Sequence, residues 1–154
     1  MSKVEQRLQE FGIKTPEPSA SVANYAPYII SGNQIFISGQ IPVVNGEIKY
    51  QAKVGDTMTT DEAVEVAKIC GINIIAQIKS AIGNLDRVKK VIKLGGFVNS
   101  TLDFTEHPKV INGASDLMVE IFGKEIGTHS RTAIGVNSLP FGVAVEIDAV
   151  IEFE

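Results

Sequence analysis

The sequence predicts an α+β fold: a mixed, mostly antiparallel β-sheet with two long helices packed on one face. Two stretches, around 59–82 and 108–122, repeat their apolar residues at helical spacing, and residues 143–153 alternate apolar and polar side chains as a half-buried strand does. Shorter β-rich runs bounded by Gly and Asn turns supply the other strands. At 154 residues the chain suits a single domain, 1–154, with a real hydrophobic core.

In chain order, residues 3–12 read as a short amphipathic helix, with Val4, Leu8 and Phe11 on one stripe and Gly12 as its stop. Thr15–Pro27 is rich in Pro, Ser and Ala and reads as an irregular, extended lead-in. Strands are expected at Tyr28–Ser31 and Gln34–Ser38, joined at Gly32-Asn33, and a looser pair of short strands between Val43 and Val54 around Asn45-Gly46. Thr59 and Glu62 have capping-box spacing, and Val66, Ile69, Cys70, Ile74, Ile78 and Ala81 follow at helical period until Gly83. Val88–Asn99 reads as a strand in which Gly95-Gly96 marks either a bulge or a close backbone approach. Pro108 opens a second long helix carrying Ile111, Ala114, Met118, Ile121 and Phe122 to a stop at Gly123. Residues 129–137 and 143–153, linked by Leu139-Pro140-Phe141-Gly142, read as a C-terminal β-hairpin. Two helices cannot cover both faces of such a sheet, so the second face is expected to be buried against neighbouring subunits.

Composition narrows the function. A formal net charge of −4 supplies no basic field for a polyanion, which disfavours a nucleic-acid partner. The N-terminus lacks the continuous apolar run of an export signal, so cytoplasmic residence is the expectation. The longest apolar stretches fall short of the roughly 20 residues a membrane span needs, and no membrane segment is expected. The lone Cys70 excludes an intrachain disulfide and reads as a core thiol. Phosphate-binding glycine loops, nucleophile-elbow serines and metal-ligand spacings are missing, so neither a cofactor nor a metal is expected.

The candidate chemistry lies near the C-terminus. His129, Arg131, Ala133 and Gly135 share one face of a strand, and a guanidinium is a rigid fork of donors suited to a carboxylate. A small anionic ligand would be its partner; the alternative is a pair of solvated strand residues. Glu146, on the strand after the turn, is placed by the hairpin reading beside Arg131, where it could take a proton from water. It could equally be solvated or ion-paired among Asp148, Glu152 and Glu154.

Ile37-Ser38-Gly39-Gln40-Ile41-Pro42 resembles the SGQIP segment of the RidA/YjgF family. Ser130-Arg131-Thr132 through Leu139-Pro140, then Val145-Glu146-Ile147-Asp148-Ala149, is similar to its C-terminal signature, and the likeness extends from about Tyr25 to Ile151. The resemblance implies a chorismate-mutase-like fold, a homotrimer with three intersubunit clefts, and hydrolysis of amino-acid-derived enamines or imines of the 2-aminoacrylate type to 2-keto acids and ammonia. It assigns Arg131 to the substrate carboxylate, Glu146 to the attacking water, and Gly39, Asn112 and Tyr25 to the cleft, with Tyr28 as the alternative tyrosine. Ala133 stands where the family's archetypal deaminases carry cysteine, and His129 looks like a feature of a divergent subgroup. Two rival functions therefore accompany the first: a non-catalytic sensor of small carboxylates, and the endoribonuclease activity ascribed to some relatives, which the acidic balance argues against.

Overall fold

The computed structural model describes residues 1–21 and 23–154; Val22, within the expected lead-in, lies outside them. The elements are α1 (Lys3–Glu10), β1 (Tyr28–Ser31), β2 (Gln34–Gln40), β3 (Val43–Val44), β4 (Glu47–Ile48), α2 (Thr60–Ile82), β5 (Val88–Asn99), α3 (His107–Phe122), α4 (Lys124–Gly127), β6 (Ser130–Val136) and β7 (Val145–Phe153). One sheet runs β1-β2-β7-β5-β6, antiparallel except for the parallel pair β5–β6, and β3–β4 form a separate hairpin. The α+β class read from the sequence is the one observed.

Local chemistry sets most boundaries. The Thr59–Glu62 capping box is formed in both directions, and Gly83 ends α2 at a φ of 75°. Asn45 and Gly46 both have positive φ, as a two-residue hairpin turn of the mirror-image type requires. In α1, Val4 and Leu8 are buried, whereas Phe11 is exposed because the helix has already ended when the chain reaches it. The short α4 after Gly123 carries no apolar period long enough to be read in advance.

Gly95 and Gly96 are a site of close approach, not a bulge. The register shifts of β5 lie nearer its start, between Val88 and Lys90 and between Val91 and Lys93. A Cβ on Gly96 would sit 2.6 Å from the Ile111 side chain, and one on Gly95 would run into the Asp148 carboxylate.

α2 lies over β2 and β7, and α3 over β5 and β6. Between helices and sheet, Ile74, Ile78, Leu94, Ile111, Met118, Ile147 and Ile151 have no exposed surface, and burying each such side chain contributes about 1.5–3 kcal/mol. The helices meet at small residues: a Cβ on Gly113 would collide with the main-chain oxygen of Val64. Gly113→Ala should therefore lower stability by about 1–3 kcal/mol, read as a lower urea midpoint at unchanged slope. Among the described residues no helix is long and apolar enough to cross a membrane.

The expected C-terminal hairpin is not formed. β7 lies between β2 and β5, and β6 pairs only with β5, in parallel, at the sheet edge. α3 carries the chain back across the sheet before β6 begins, so β6 runs in the direction of β5. The link from β6 to β7 then passes over the end of β5, where the Asn99 amide donates to the Val143 oxygen at 3.2 Å and Lys53 bridges Asn99 Oδ1 (2.9 Å) to the Asn137 oxygen (2.7 Å). β7 takes the centre because Val145, Ile147, Ala149 and Ile151 are its buried stripe, while the side chains of β6 stay exposed or half-exposed.

Candidate functional site

The Ser38-Gly39 segment departs from regular pairing. Ile37 opposes Ala149 and Gln40 opposes Ile147, so β2 has one residue more than β7 here, a β-bulge. The bulge brings Gly39 against Glu146: a Cβ on Gly39 would lie 2.8 Å from the Glu146 carboxyl carbon. Ser38 Oγ donates to the Ala26 oxygen at 2.7 Å, which ties the lead-in beside it.

These segments enclose a cavity of about 450 Å³ whose lining includes Tyr25, Gly39, Ile41, Ile48, Phe141 and Glu146. Tyr28 begins β1 and packs against the core instead. Glu146 is half-buried, and its carboxyl is pushed above the ordinary carboxylate range, first by burial and then by the neighbouring Asp148 charge. Asp148 moves the same way through burial, an effect partly offset by the Gly95 N–H and Lys93.

Arg131 and His129 lie elsewhere. Along the ladders Arg131 is level with Leu94 and Ala149, whose side chains are buried under the helices, whereas Glu146 is level with Phe97 and Ile134 on the open face. The two residues are thus on opposite faces with β5 between them, and the expectation that cross-strand pairing joins them is corrected. The cause is the parallel placement of β6.

At the β6 edge Arg131 lies along α3. Its Nη1 donates to Ser115 Oγ at 3.0 Å and its Nη2 to the Pro108 oxygen at 3.1 Å. His129 Nδ1 is 2.6 Å from the Gly127 oxygen, which only accepts, so Nδ1 carries a proton, and Nε2 lies 2.9 Å from Ser115 Oγ. Asn112 is exposed on the α3 ridge between Pro108 and Ser115, one turn from each. Ala133 is half-buried on the same side of β6 as Arg131. The candidate residues therefore fall into two separate groups: Tyr25, Gly39 and Glu146 at the cavity, and Asn112, His129, Arg131 and Ala133 at the β6 edge.

Three supporting residues were not singled out from the sequence as part of a site. Buried Asn73 on α2 donates to the Ile41 and Val43 oxygens at 3.0 and 3.2 Å, and buried Gln77 donates to the Ser19 oxygen at 2.9 Å, so α2 holds the cavity walls. Their signal was present: amides interrupting an apolar helix face must find partners. Ser115, which joins Arg131 to His129, has no comparable signature. Cys70 is fully buried, its thiol pushed upward first by burial and then by the Glu146 charge, and it does not line the cavity. Among the described residues no three His, Cys, Asp or Glu side chains are grouped to hold a metal.

A family model described as "YjgF/chorismate_mutase-like, putative endoribonuclease" matches residues 5–148. The chain is 45% identical to "Protein TCP17" of Trypanosoma cruzi, over 97% of this chain and 94% of that one. It is 32% identical to "Putative regulator AldR" of Lactococcus lactis, over 91% of this chain and 95% of that one. Among solved structures, that of "a putative endoribonuclease" from Shewanella oneidensis is 38% identical, covers 99% of this chain and 100% of its own, and superposes with a TM-score of 0.95. With the SGQIP bulge and the Val145–Ala149 signature in place on this fold, the chain belongs to the RidA/YjgF (YjgF/chorismate-mutase-like) family.

Proposed function

We propose that the protein hydrolyses reactive imines of amino-acid-like acids to 2-keto acids and ammonia, in clefts completed by a neighbouring subunit of a homotrimer. The observation that carries this reading is Glu146, among the described residues the one carboxyl group lining the cavity and one whose proton affinity is raised. A carboxylate so placed is a better base than one in water. Water bound beside Glu146 attacks the imine carbon and gives its proton to the carboxylate, while the C=N π pair moves to nitrogen, which takes up a proton from solvent that the later loss of the hydroxyl proton returns. The resulting carbinolamine collapses as Glu146 returns the proton to nitrogen: the C–N bond breaks, ammonia leaves, and the hydroxyl loses its proton to form the keto C=O.

A carboxylate clamp is needed to hold the imine carbon in reach of that water. Arg131 is suited to the task but lies on the opposite face of the same sheet. The open sheet face exposes Phe36 and Ile134, an apolar surface that a second copy would cover. β6 is an edge strand, so packing copies around these faces can bring the Arg131 edge of one against the Glu146 cavity of the next. An imine generated in situ should be converted to keto acid well above the uncatalysed rate, and Arg131→Ala should lower kcat/KM about a hundredfold, the cost of a misplaced reacting carbon. Wild-type release no faster than background would refute the enzymatic reading.

A second reading, a non-catalytic binder of small carboxylates, is favoured by the regulator name of the Lactococcus lactis relative. Calorimetric uptake of keto acids without any turnover would select it. The endoribonuclease description is not carried over, because a net charge of −4 supplies no attraction for RNA phosphates.

A further inference from the structure

We infer that the cavity beside Glu146 selects acids with an apolar side chain, branched or aromatic, and that Phe141 is the residue that sets this preference. The inference rests on the proposed imine chemistry for its substrate and on the cavity itself for its selectivity. Enclosures of about 300–1000 Å³ accommodate ligands far larger than a three-carbon acid, and this one measures about 450 Å³. Its larger lining side chains are mostly apolar, Tyr25, Pro27, Ile41, Val43, Ile48 and Phe141, with Ser19, Ser21 and Gln40 as the uncharged polar ones beside Glu146. An acidic side chain would lose its hydration against such walls and meet the Glu146 carboxylate with no lining cation to offset it, whereas an aliphatic or phenyl group loses only unfavourable contact with water.

Phe141 adds an independent observation. Its backbone is left-handed, at φ 58° and ψ 11°, a conformation that a bulky residue rarely adopts and that Gly or Asn takes readily. Gly142 beside it is also at positive φ, so a turn of this shape would form more easily with a small residue at 141. Burial in the core does not compensate, because Phe141 is 53% exposed. Strain held at an exposed aromatic on a cavity wall is what a ligand contact would explain.

The test uses the intact protein with imines generated from alanine, leucine, phenylalanine and glutamate by an amino-acid oxidase, and follows release of keto acid over background. Leucine- and phenylalanine-derived imines should exceed the alanine- and glutamate-derived ones in kcat/KM by about tenfold or more, the scale at which apolar pockets discriminate. Phe141→Gly, which relaxes the backbone and should not lower Tm, should shrink the leucine-to-alanine ratio at least about fivefold. A flat series, a preference for the glutamate product, or a Phe141→Gly variant that keeps the ratio would overturn the inference. Should no imine be hydrolysed, the hydrolase reading alone fails, and calorimetry with 4-methyl-2-oxopentanoate, phenylpyruvate and pyruvate decides selectivity. Tighter binding of the first two, lost in Phe141→Gly, upholds it, and equal or absent binding of all three overturns it.

Discussion

Glu146→Gln is expected to slow imine hydrolysis by about 10²–10⁴-fold, the usual worth of a positioned general base, while making the protein more resistant to heat at pH 7. Both effects have one origin. Burial and Asp148 raise the proton affinity of Glu146 in the folded chain above its value in the unfolded one. Stability from a group shifted in this direction is fully present below the unfolded pKa and is lost as pH rises through the folded pKa. At pH 7 the ionised carboxylate therefore costs stability, which the neutral amide of nearly the same shape does not. The gain in Tm should vanish below about pH 4, where the carboxyl is protonated in both states. For the same reason the acid limb of wild-type kcat/KM should lie above the ordinary carboxylate range, since only the ionised form takes the proton from water. A Glu146→Gln variant with near-normal turnover would remove Glu146 from the reaction.

Mixing two inactive variants should restore activity. Arg131→Ala and Glu146→Gln each disable every cleft when assembled alone, if each cleft takes its guanidinium from one subunit and its carboxylate from the next. When the two are unfolded together in equal amounts and refolded, random assembly into a closed ring of three leaves about a quarter of the clefts with both groups intact. Turnover of about a quarter of wild type is the expected result, against a few percent or less for either variant refolded alone. The prediction is sharp because the fold forbids the alternative: within one chain the residues are on opposite faces of the sheet, with β5 between them. Failure of the mixture to exceed the separate variants would mean that the site is not shared between copies.

Much of the architecture was legible in local pattern. The Thr59–Glu62 box, the apolar period of α3 and the alternation of β7 each state a conformation within a few turns of chain, and each formed where the pattern placed it. The C-terminal hairpin shows where such reading stops. Leu139–Gly142 has the composition of a hairpin turn, but pairing is a competition among all strands, and β7 gains more by burying its stripe between β2 and β5 than by pairing with β6.

The sequence by itself determined the long helices and the main strands, much of the core, and which few polar groups are candidates for chemistry, because periodicity, capping and turn residues act over short distances. Only the tertiary structure decided how those polar groups are divided. It placed Tyr25, Gly39 and Glu146 around one cavity and Arg131, His129 and Asn112 at a separate edge, since strand order and the parallel sense of β6 depend on how the helices return the chain across the sheet.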